Sequence, residues 1–170
     1  KGAKRRIYAR SASREEAADY LDREIDGVSV AFGGSMTVQE MGLYPRLAAH
    51  NRALWHWNKD GLADAAGTDV YICSVNGLAE TGELVNIDGV GNRVASTIFG
   101  HKRVYFVVGK NKVAPDYDQA LWRARNIAAP KNCRRLGLKT PCAVKADKCY
   151  NCSSPDRSCR ALVVLWEKPR

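Results

Sequence analysis

The sequence predicts an α/β protein, a three-layer sandwich in which helices cover a largely parallel sheet. Short apolar runs of the kind that form buried parallel strands recur along the chain. Amphipathic helical segments alternate with these runs, and glycine turns follow several of them. The 170 residues suit a single domain, and the chain contains no internal repeat or low-complexity tract.

Three helices are predicted from their start and stop signals. Ser13-Arg14-Glu15-Glu16 is a capping box, and apolar residues then recur at helical spacing as far as Ile25. Thr37-Val38-Gln39-Glu40 is a second capping box and predicts another helix start. Apolar residues at helical spacing also follow Pro115, and this helix is expected to end at Pro130, because proline lacks the N–H that a helix interior requires.

The predicted strands are apolar runs rich in β-branched and aromatic residues: 28–32, 53–57, 69–75, 103–108 and 161–166. A further strand is predicted at 84–89, where Asp88-Gly89 signals a turn. This segment is expected to form an excursion from the main sheet. The remaining strands would form that sheet.

The charge and the apolar content of the sequence indicate which partners and which cellular location to expect. Twenty-seven Lys and Arg against eighteen Asp and Glu give a net charge of +9, which favours anionic partners such as phosphates, carboxylates, nucleic acid or an acidic protein surface. No stretch reaches the roughly 18 apolar residues of a membrane span. The start of the chain, Lys1–Arg6, lacks the apolar segment of a signal peptide, so we expect a cytoplasmic protein. Because the chain begins without methionine, we also expect native sequence before Lys1.

The strand-end loops contain the candidate ligand-binding residues. In open α/β sheets, ligands bind beyond the carboxyl ends of strands, and glycines there let backbone N–H groups approach an anion. The residues predicted to bind such a ligand are Gly33, Gly34, Ser35, Thr37, Asn76, Asp88, Asn92, Arg93, Gly109, Asn111 and Lys112. Arg93 could hold a carboxylate or phosphate through two parallel hydrogen bonds. The alternative is that these residue types stabilise turns and helix starts.

Two acids in the segment Asn76–Glu83 are the catalytic candidates. Glu80 and Glu83 follow an apolar strand and lie beside a glycine, where a carboxylate could act as a nucleophile or general base. Their alternative is a solvated loop or the start of a helix. The sequence does not decide between these.

Five of the six cysteines lie between Cys133 and Cys159. Within this segment, Cys142, Cys149, Cys152 and Cys159 have the spacing C-x6-C-x2-C-x6-C, which could supply four thiolates to zinc or to an iron–sulfur cluster. Two alternatives remain open: reduced structural thiols, or a redox pair formed by Cys149 and Cys152. The three histidines are scattered and match no ligand pattern.

Several motifs together resemble the LUD-domain family, whose proteins function in lactate utilisation. The hallmark is the run Val85-Asn86-Ile87-Asp88-Gly89-Val90-Gly91-Asn92-Arg93-Val94-Ala95. The resemblance extends in order over 33–37, 109–112, 129–132 and 141–159, and therefore covers nearly the whole chain. Cys133 and His101 depart from the pattern. The resemblance also implies that a helix precedes Lys1 and that 133–159 is a cysteine-rich segment within one domain of residues 1–170.

The resemblance implies a fold similar to the superfamily of sugar-phosphate isomerases and CoA transferases. It also implies a role in lactate oxidation, as a subunit that works with iron–sulfur oxidoreductase proteins. Two other hypotheses remain: an enzyme acting on a phosphorylated, CoA-linked or carboxylate ligand, and a module that binds anions or nucleic acid. The nucleic-acid hypothesis rests on net charge alone, because no recognition motif accompanies the basic residues.

Overall fold

The computed structural model describes residues 9–169 and shows two compact units. One unit comprises the chain up to Ser74 together with 95–107, and the other comprises 75–94 and the chain from Val108 onward. Lys1–Arg6, used above in predicting a cytoplasmic protein, lies outside the described residues. The α/β class is confirmed, whereas the single domain over 1–170 stays a prediction. Within the described residues, no helix has the length and apolar composition needed to cross a bilayer.

A four-stranded parallel sheet forms the centre of the first unit. Its strands are β1 (Ser29–Phe32), β2 (Arg52–Trp55), β3 (Val70–Cys73) and β6 (Arg103–Phe106), in the order β2-β1-β3-β6. The register places Val30 of β1 beside Ala53 of β2 and Val70 of β3. The predicted parallel sheet is therefore confirmed, although the strands are shorter than their apolar runs. The run 53–57, for example, ends as a strand at Trp55, and His56–Asn58 form a 3₁₀ turn.

Helices cover both faces of this sheet. The helices of the first unit are α1 (Arg14–Glu24), α2 (Met36–Glu40), α3 (Leu43–Ala48) and α4 (Leu62–Ala65). Successive residues of a strand point to opposite faces. Accordingly, Phe32 packs in one core cluster with Leu21 of α1 and Leu47 of α3, whereas Ala31 belongs to a second cluster with Ala65 of α4. The first unit thus has the three layers that the sequence predicts.

The first helix begins as predicted and the second does not. Ser13 Oγ accepts a hydrogen bond from Glu16 N at 3.1 Å and caps α1. The capping box predicted at Thr37–Glu40 is wrong, because α2 already begins at Met36 and its cap is Ser35, whose Oγ accepts from Val38 N at 3.3 Å. Ser35 has the extended backbone of an N-cap, whereas Thr37 lies inside the helix.

The second unit contains a mixed sheet. Its strands are β4 (Gly77–Ala79), β5 (Leu84–Asp88), β7 (Val113–Ala114) and β8 (Ala161–Leu165), in the order β7-β4-β5-β8. β5 is antiparallel to both β4 and β8, and β4 is parallel to β7. The strands predicted at 84–89 and 161–166 are both present, and the first lies outside the parallel sheet as expected. The expectation that 161–166 joins the parallel sheet is wrong, because β8 pairs with β5. The helix α5 (Asn92–Ile98) follows β5, and the division between the units falls within it.

A continuous helical segment in the second unit passes through Pro130. It consists of α6 (Tyr117–Arg123), a π-helical turn (Ala124–Ala128) and α7 (Ala129–Arg135). The predicted helix end at Pro130 is therefore wrong. In the π turn, Ala129 N donates to Ala124 O, five residues earlier, and this wider turn accommodates the proline. A short helix, α8 (Pro141–Lys145), follows.

Small residues form the contact between α6 and the mixed sheet. Ala79, Val85 and Ala114 pack against Ala120 and Ala124 in one buried cluster. Gly77 of β4 lies so close to α6 that a Cβ there would collide with the carbonyl oxygen of Ala120 and lie 3.1 Å from its carbonyl carbon. The distance between strand and helix therefore depends on glycine at position 77.

We predict that Gly77→Ala destabilises the protein by about 2 kcal/mol, because an added methyl group in a filled core forces the backbone to move. Urea unfolding would measure the loss. Gly67→Ala is the matched control, since a Cβ at Gly67 meets nothing within 4 Å. Equal midpoints for the two variants would contradict the close approach of β4 to α6.

Candidate functional site

Gly33–Ser35 follows β1 in the first unit, as the sequence predicts. A Cβ on Gly33 would lie 2.8 Å from Tyr71 Oη and 2.9 Å from Cys73 Cβ, so this glycine permits β1 to end against β3. Gly33 N donates to Ile72 O at 2.8 Å. These contacts give Gly33 a packing role beside the capping role of Ser35. Anion binding by Gly33, Gly34, Ser35 and Thr37 stays a prediction.

His56 is a residue that the sequence analysis left out. It directly follows β2, and its ring donates a hydrogen bond to the backbone oxygen of Phe32 at the end of the neighbouring strand. Burial lowers the pKa of His56, and the bond to Phe32 only partly offsets this, so the ring is neutral at pH 7. A Cβ on Gly34 would lie 3.5 Å from its Cε1. The sequence could have indicated His56 as a candidate site residue, because it lies near the end of the predicted strand 53–57, and Gly33 follows the end of another.

Glu80 and Glu83 lie in the tight turn of a hairpin. This turn joins β4 to β5, and Gly82 adopts φ +112° there, a conformation that favours glycine. The Thr81 hydroxyl donates to the Glu83 carboxylate, and Glu80 is exposed. The segment Asn76–Glu83 therefore consists of a strand and a turn. A catalytic role for the two acids stays a prediction.

The guanidinium of Arg93 bonds to three acceptors in the second unit. Its Nη1 donates to Asn86 Oδ1 at 3.1 Å, and its Nη2 donates to Asn76 Oδ1 at 2.9 Å and to Ile87 O at 2.5 Å. Asn76 Oδ1 also accepts from Ile87 N at 2.8 Å. Arg93 therefore joins the segment before β4 to β5. The guanidinium predicted to hold an anion thus stabilises the fold.

Asp88 caps the turn that leads into α5. Its carboxylate accepts from Val90 N at 3.2 Å and from Val94 N at 3.1 Å. Burial would raise the pKa of Asp88, but the N–H groups of Gly91, Val94 and Val90 and the charge of Arg93 outweigh it and lower the pKa. Asp88 is therefore ionised at neutral pH and serves the helix start at Asn92.

Asn86 carries a buried donor. The residue is fully buried, and Nδ2 has no hydrogen-bond partner within residues 9–169. A buried amide nitrogen without an acceptor costs about 1–3 kcal/mol. The neighbouring Oδ1 is occupied by Arg93.

Three of the strand-end segments, Gly33–Ser35, Asn76–Glu83 and Gly109–Lys112, would converge if they bound one anion, and two of them meet in the second unit. Gly109 precedes a 3₁₀ turn at Lys110–Lys112, and Arg123 of α6 donates from Nε to Asn111 O at 2.9 Å. The same guanidinium donates from Nη1 to Asn76 O at 2.5 Å. Arg123 thus joins the loop around Asn76 to the loop around Asn111. Gly33–Ser35 lies in the other unit, and its convergence with these loops stays a prediction.

The cysteines of the 133–159 segment separate into two environments. Cys133 and Cys142 are buried together with Ala143, and Thr140 Oγ1 lies 3.2 Å from the Cys142 sulfur. Burial, followed by the adjoining Cys142 thiol, raises the pKa of Cys133 to about 11. Cys133 is therefore a neutral thiol at pH 7, partnered with one of the four predicted metal ligands.

The structure does not arrange the four predicted ligands as a metal-binding set. In the part of the chain from residue 9 to 169, no three His, Cys, Asp or Glu side chains are grouped to hold a metal ion. Zinc or an iron–sulfur cluster at Cys142, Cys149, Cys152 and Cys159 stays a prediction. Metal analysis of anaerobically purified protein, with its visible spectrum, would test it.

Cys149 and Cys159 line a cavity of about 210 Å³ in the second unit. Arg125, Arg157 and Arg160 also line it. The hydrogen bond with the Cys159 side chain, followed by the electrostatic effect of the neighbouring Cys159, Cys152 and Cys149 side chains, raises the pKa of Arg157. The cavity therefore combines thiols with guanidinium groups.

Comparison with known proteins decides the family, because the chain matches the LUD domain over residues 4–169. It belongs to the LUD-domain family. The resemblance seen in the sequence is thus confirmed, and with it membership of the lactate-utilisation family. The hallmark of this LUD-domain chain, 85–95, contains most of β5, the turn capped by Asp88 and the start of α5.

The comparison with curated protein sequences gives no match. Among solved structures, ribose 5-phosphate isomerase A from Neisseria gonorrhoeae is similar to this LUD-domain chain, with 13% sequence identity and a TM-score of 0.43. The similarity covers 60% of this chain and 53% of the isomerase, so it spans about half of the isomerase's length. It gives this chain no activity.

We predict that Arg93→Lys destabilises this LUD-domain protein by about 2 kcal/mol, because one ammonium group cannot replace three charged hydrogen bonds. Urea unfolding would measure the change. Arg135→Lys is the matched control: the Arg135 guanidinium is also hydrogen-bonded, with two bonds to Asn132 Oδ1, but in an exposed position. If Arg93→Lys had wild-type stability and only anion binding were lost, the guanidinium would serve a ligand.

Asp88 gives a prediction about pH. Because its pKa lies below the ordinary 3.8 in the folded protein, its ionised form stabilises the fold above that value, and the contribution disappears as pH falls through the folded pKa. Asp88→Asn should lower the free energy of unfolding by about 1 kcal/mol at pH 7, and by progressively less as pH falls below 3.8. Unfolding at a series of pH values measures this. A difference that does not depend on pH would contradict the role of the charge.

Proposed function

We propose that this LUD-domain protein is an accessory subunit of a lactate-oxidising complex and works with iron–sulfur oxidoreductase subunits. Membership of the lactate-utilisation family, over residues 4–169, is the observation that carries the proposal. The three-way bonding of Arg93 and the capping role of Asp88 favour an accessory role over a catalytic one. An anionic ligand in such a complex would meet the excess of basic groups on this chain.

Features of the second unit favour contact with another protein. Trp122 and Trp166 are 59% and 73% exposed, and exposed aromatic residues of this size are typical of interfaces. The segments 75–94 and 108–170 contain 15 Lys and Arg against 8 Asp and Glu. A partner with an acidic surface would therefore be attracted to this unit. We place the contact with the iron–sulfur subunits here.

The test is co-purification from cells grown on lactate. We expect the tagged full-length protein to bring down iron–sulfur oxidoreductase subunits, identified by mass spectrometry and by the visible absorption of their clusters. Deletion of the gene should abolish growth on lactate and leave growth on glucose intact. Wild-type growth on lactate, together with no iron–sulfur partner in the purified sample, would refute the role.

Matched variants locate the contact. Trp122→Gln should lower the yield of partner subunits about tenfold or more, because buried tryptophans are frequent hot spots worth about 2 kcal/mol. Leu62→Gln is the control, since Leu62 is also exposed, at 41%, and lies on α4 of the first unit. Equal yields from the two variants would contradict a contact at the second unit while leaving the role in lactate oxidation untouched.

A further inference from the structure

Three guanidinium groups surround one cavity of the second unit. Arg125 belongs to the π-helical turn that joins α6 to α7, while Arg157 and Arg160 precede β8. Arg157 donates to Cys159 O and Cys152 O at 3.0 Å each, and Arg160 donates from Nε to Arg157 O at 2.9 Å. These bonds hold two of the three cations in place. π-Helical turns are often found at functional sites.

The positive charges of this cavity are not neutralised by acidic side chains. Among the residues that the structure describes, neither Arg125 nor Arg157 nor Arg160 forms a salt bridge with a carboxylate. Three like charges around one space repel one another, and a bound anion relieves that repulsion. Guanidinium groups bind carboxylates and phosphates with good geometry.

The rest of the wall is apolar. Ile87, Leu121 and Leu162 line the same cavity, so its occupant needs a hydrocarbon part as well as a charge. Cavities that hold drug-sized ligands measure roughly 300 Å³ or more. At about 210 Å³ this cavity suits a smaller molecule. A short-chain carboxylate meets both requirements, whereas inorganic phosphate lacks the apolar part.

The sulfur of Cys149 lies at this cavity. It accepts a bond from Asn151 N at 3.4 Å and a weak contact from Arg125 Nη2 at 3.9 Å. Asn151 has φ +46°, and this left-handed turn folds the backbone back over the sulfur. Cys149 is half-buried and can therefore be reached by a small molecule.

We propose that this cavity binds a short-chain carboxylate, with its carboxylate among Arg125, Arg157 and Arg160 and its hydrocarbon part on Ile87, Leu121 and Leu162. The sulfur of Cys149 then lies beside the bound molecule. This site is independent of the proposed role in lactate oxidation, since it rests on the cavity alone.

The test compares two alkylating reagents of similar size, anionic iodoacetate and neutral iodoacetamide. In both reactions the sulfur forms a bond to carbon and iodide leaves, so the ratio of the two rates does not depend on how much of the thiol is ionised. We expect this ratio at Cys149, measured by peptide mass spectrometry, to be about fivefold higher in the folded full-length protein than in the same protein in urea. Butyrate should slow iodoacetate in the folded protein, and butyramide should not.

Arg125→Gln should return the ratio to its value in urea, and added salt should lower it in the wild type. Arg134→Gln is the control, because Arg134 is an exposed arginine of α7 that does not line the cavity, and it should keep the high ratio. The proposal is overturned by equal ratios in the folded and unfolded protein, by Cys149 that neither reagent modifies, by no protection from butyrate, or by equal effects of the two arginine variants. Growth on lactate plays no part in these measurements.

Discussion

The second unit depends on the hydrogen bonds of the Arg93 guanidinium. This one group contacts the side chains of Asn76 and Asn86 and the backbone of Ile87, so it joins the start of β4 to the end of β5. Arg123 of α6 donates a hydrogen bond to the backbone oxygen of Asn76. Two cations thereby fix a polar segment inside the unit, where water would otherwise have to satisfy its oxygens. Asparagine at position 76 and arginine at position 93 therefore stabilise the unit whatever ligand it binds.

Local sequence signals predict the first unit well and the second unit only in part. The strands of the parallel sheet are apolar runs, and the Ser13 cap marks α1, so both are visible without tertiary contacts. Strands β4 and β7, of three and two residues, are too short to show a period, and only pairing with neighbours makes them strands. The predicted helix end at Pro130 is wrong because local signals did not show the π turn. This upstream turn, and not the proline itself, decides whether the helix continues.

The candidate site shows the same division. Within the second unit, Arg93 contacts Asn76, and Arg123 joins Asn76 to Asn111. The sequence could not show these contacts, nor that Asp88 bonds to nearby N–H groups. Nor could it show the cavity, because Arg125 and Arg160 lie 35 positions apart and are brought together by a helix turn and a strand. Spacing predicts chemistry only when all the partners lie on one local element. Here they come from several elements.

The cysteines illustrate what spacing alone leaves undetermined. In C-x6-C-x2-C-x6-C, the four thiols look equivalent, but the fold buries Cys142 against Cys133, which lies outside the pattern. Burial and the neighbouring thiol keep Cys133 protonated, and a protonated thiol is neither a nucleophile nor a metal ligand. Cys149 lies instead at a cavity lined with cations. The segment whose spacing predicts one metal site thus contains a buried pair, Cys133 and Cys142, and a more accessible sulfur at Cys149. The surrounding fold, and not the spacing, produces this difference.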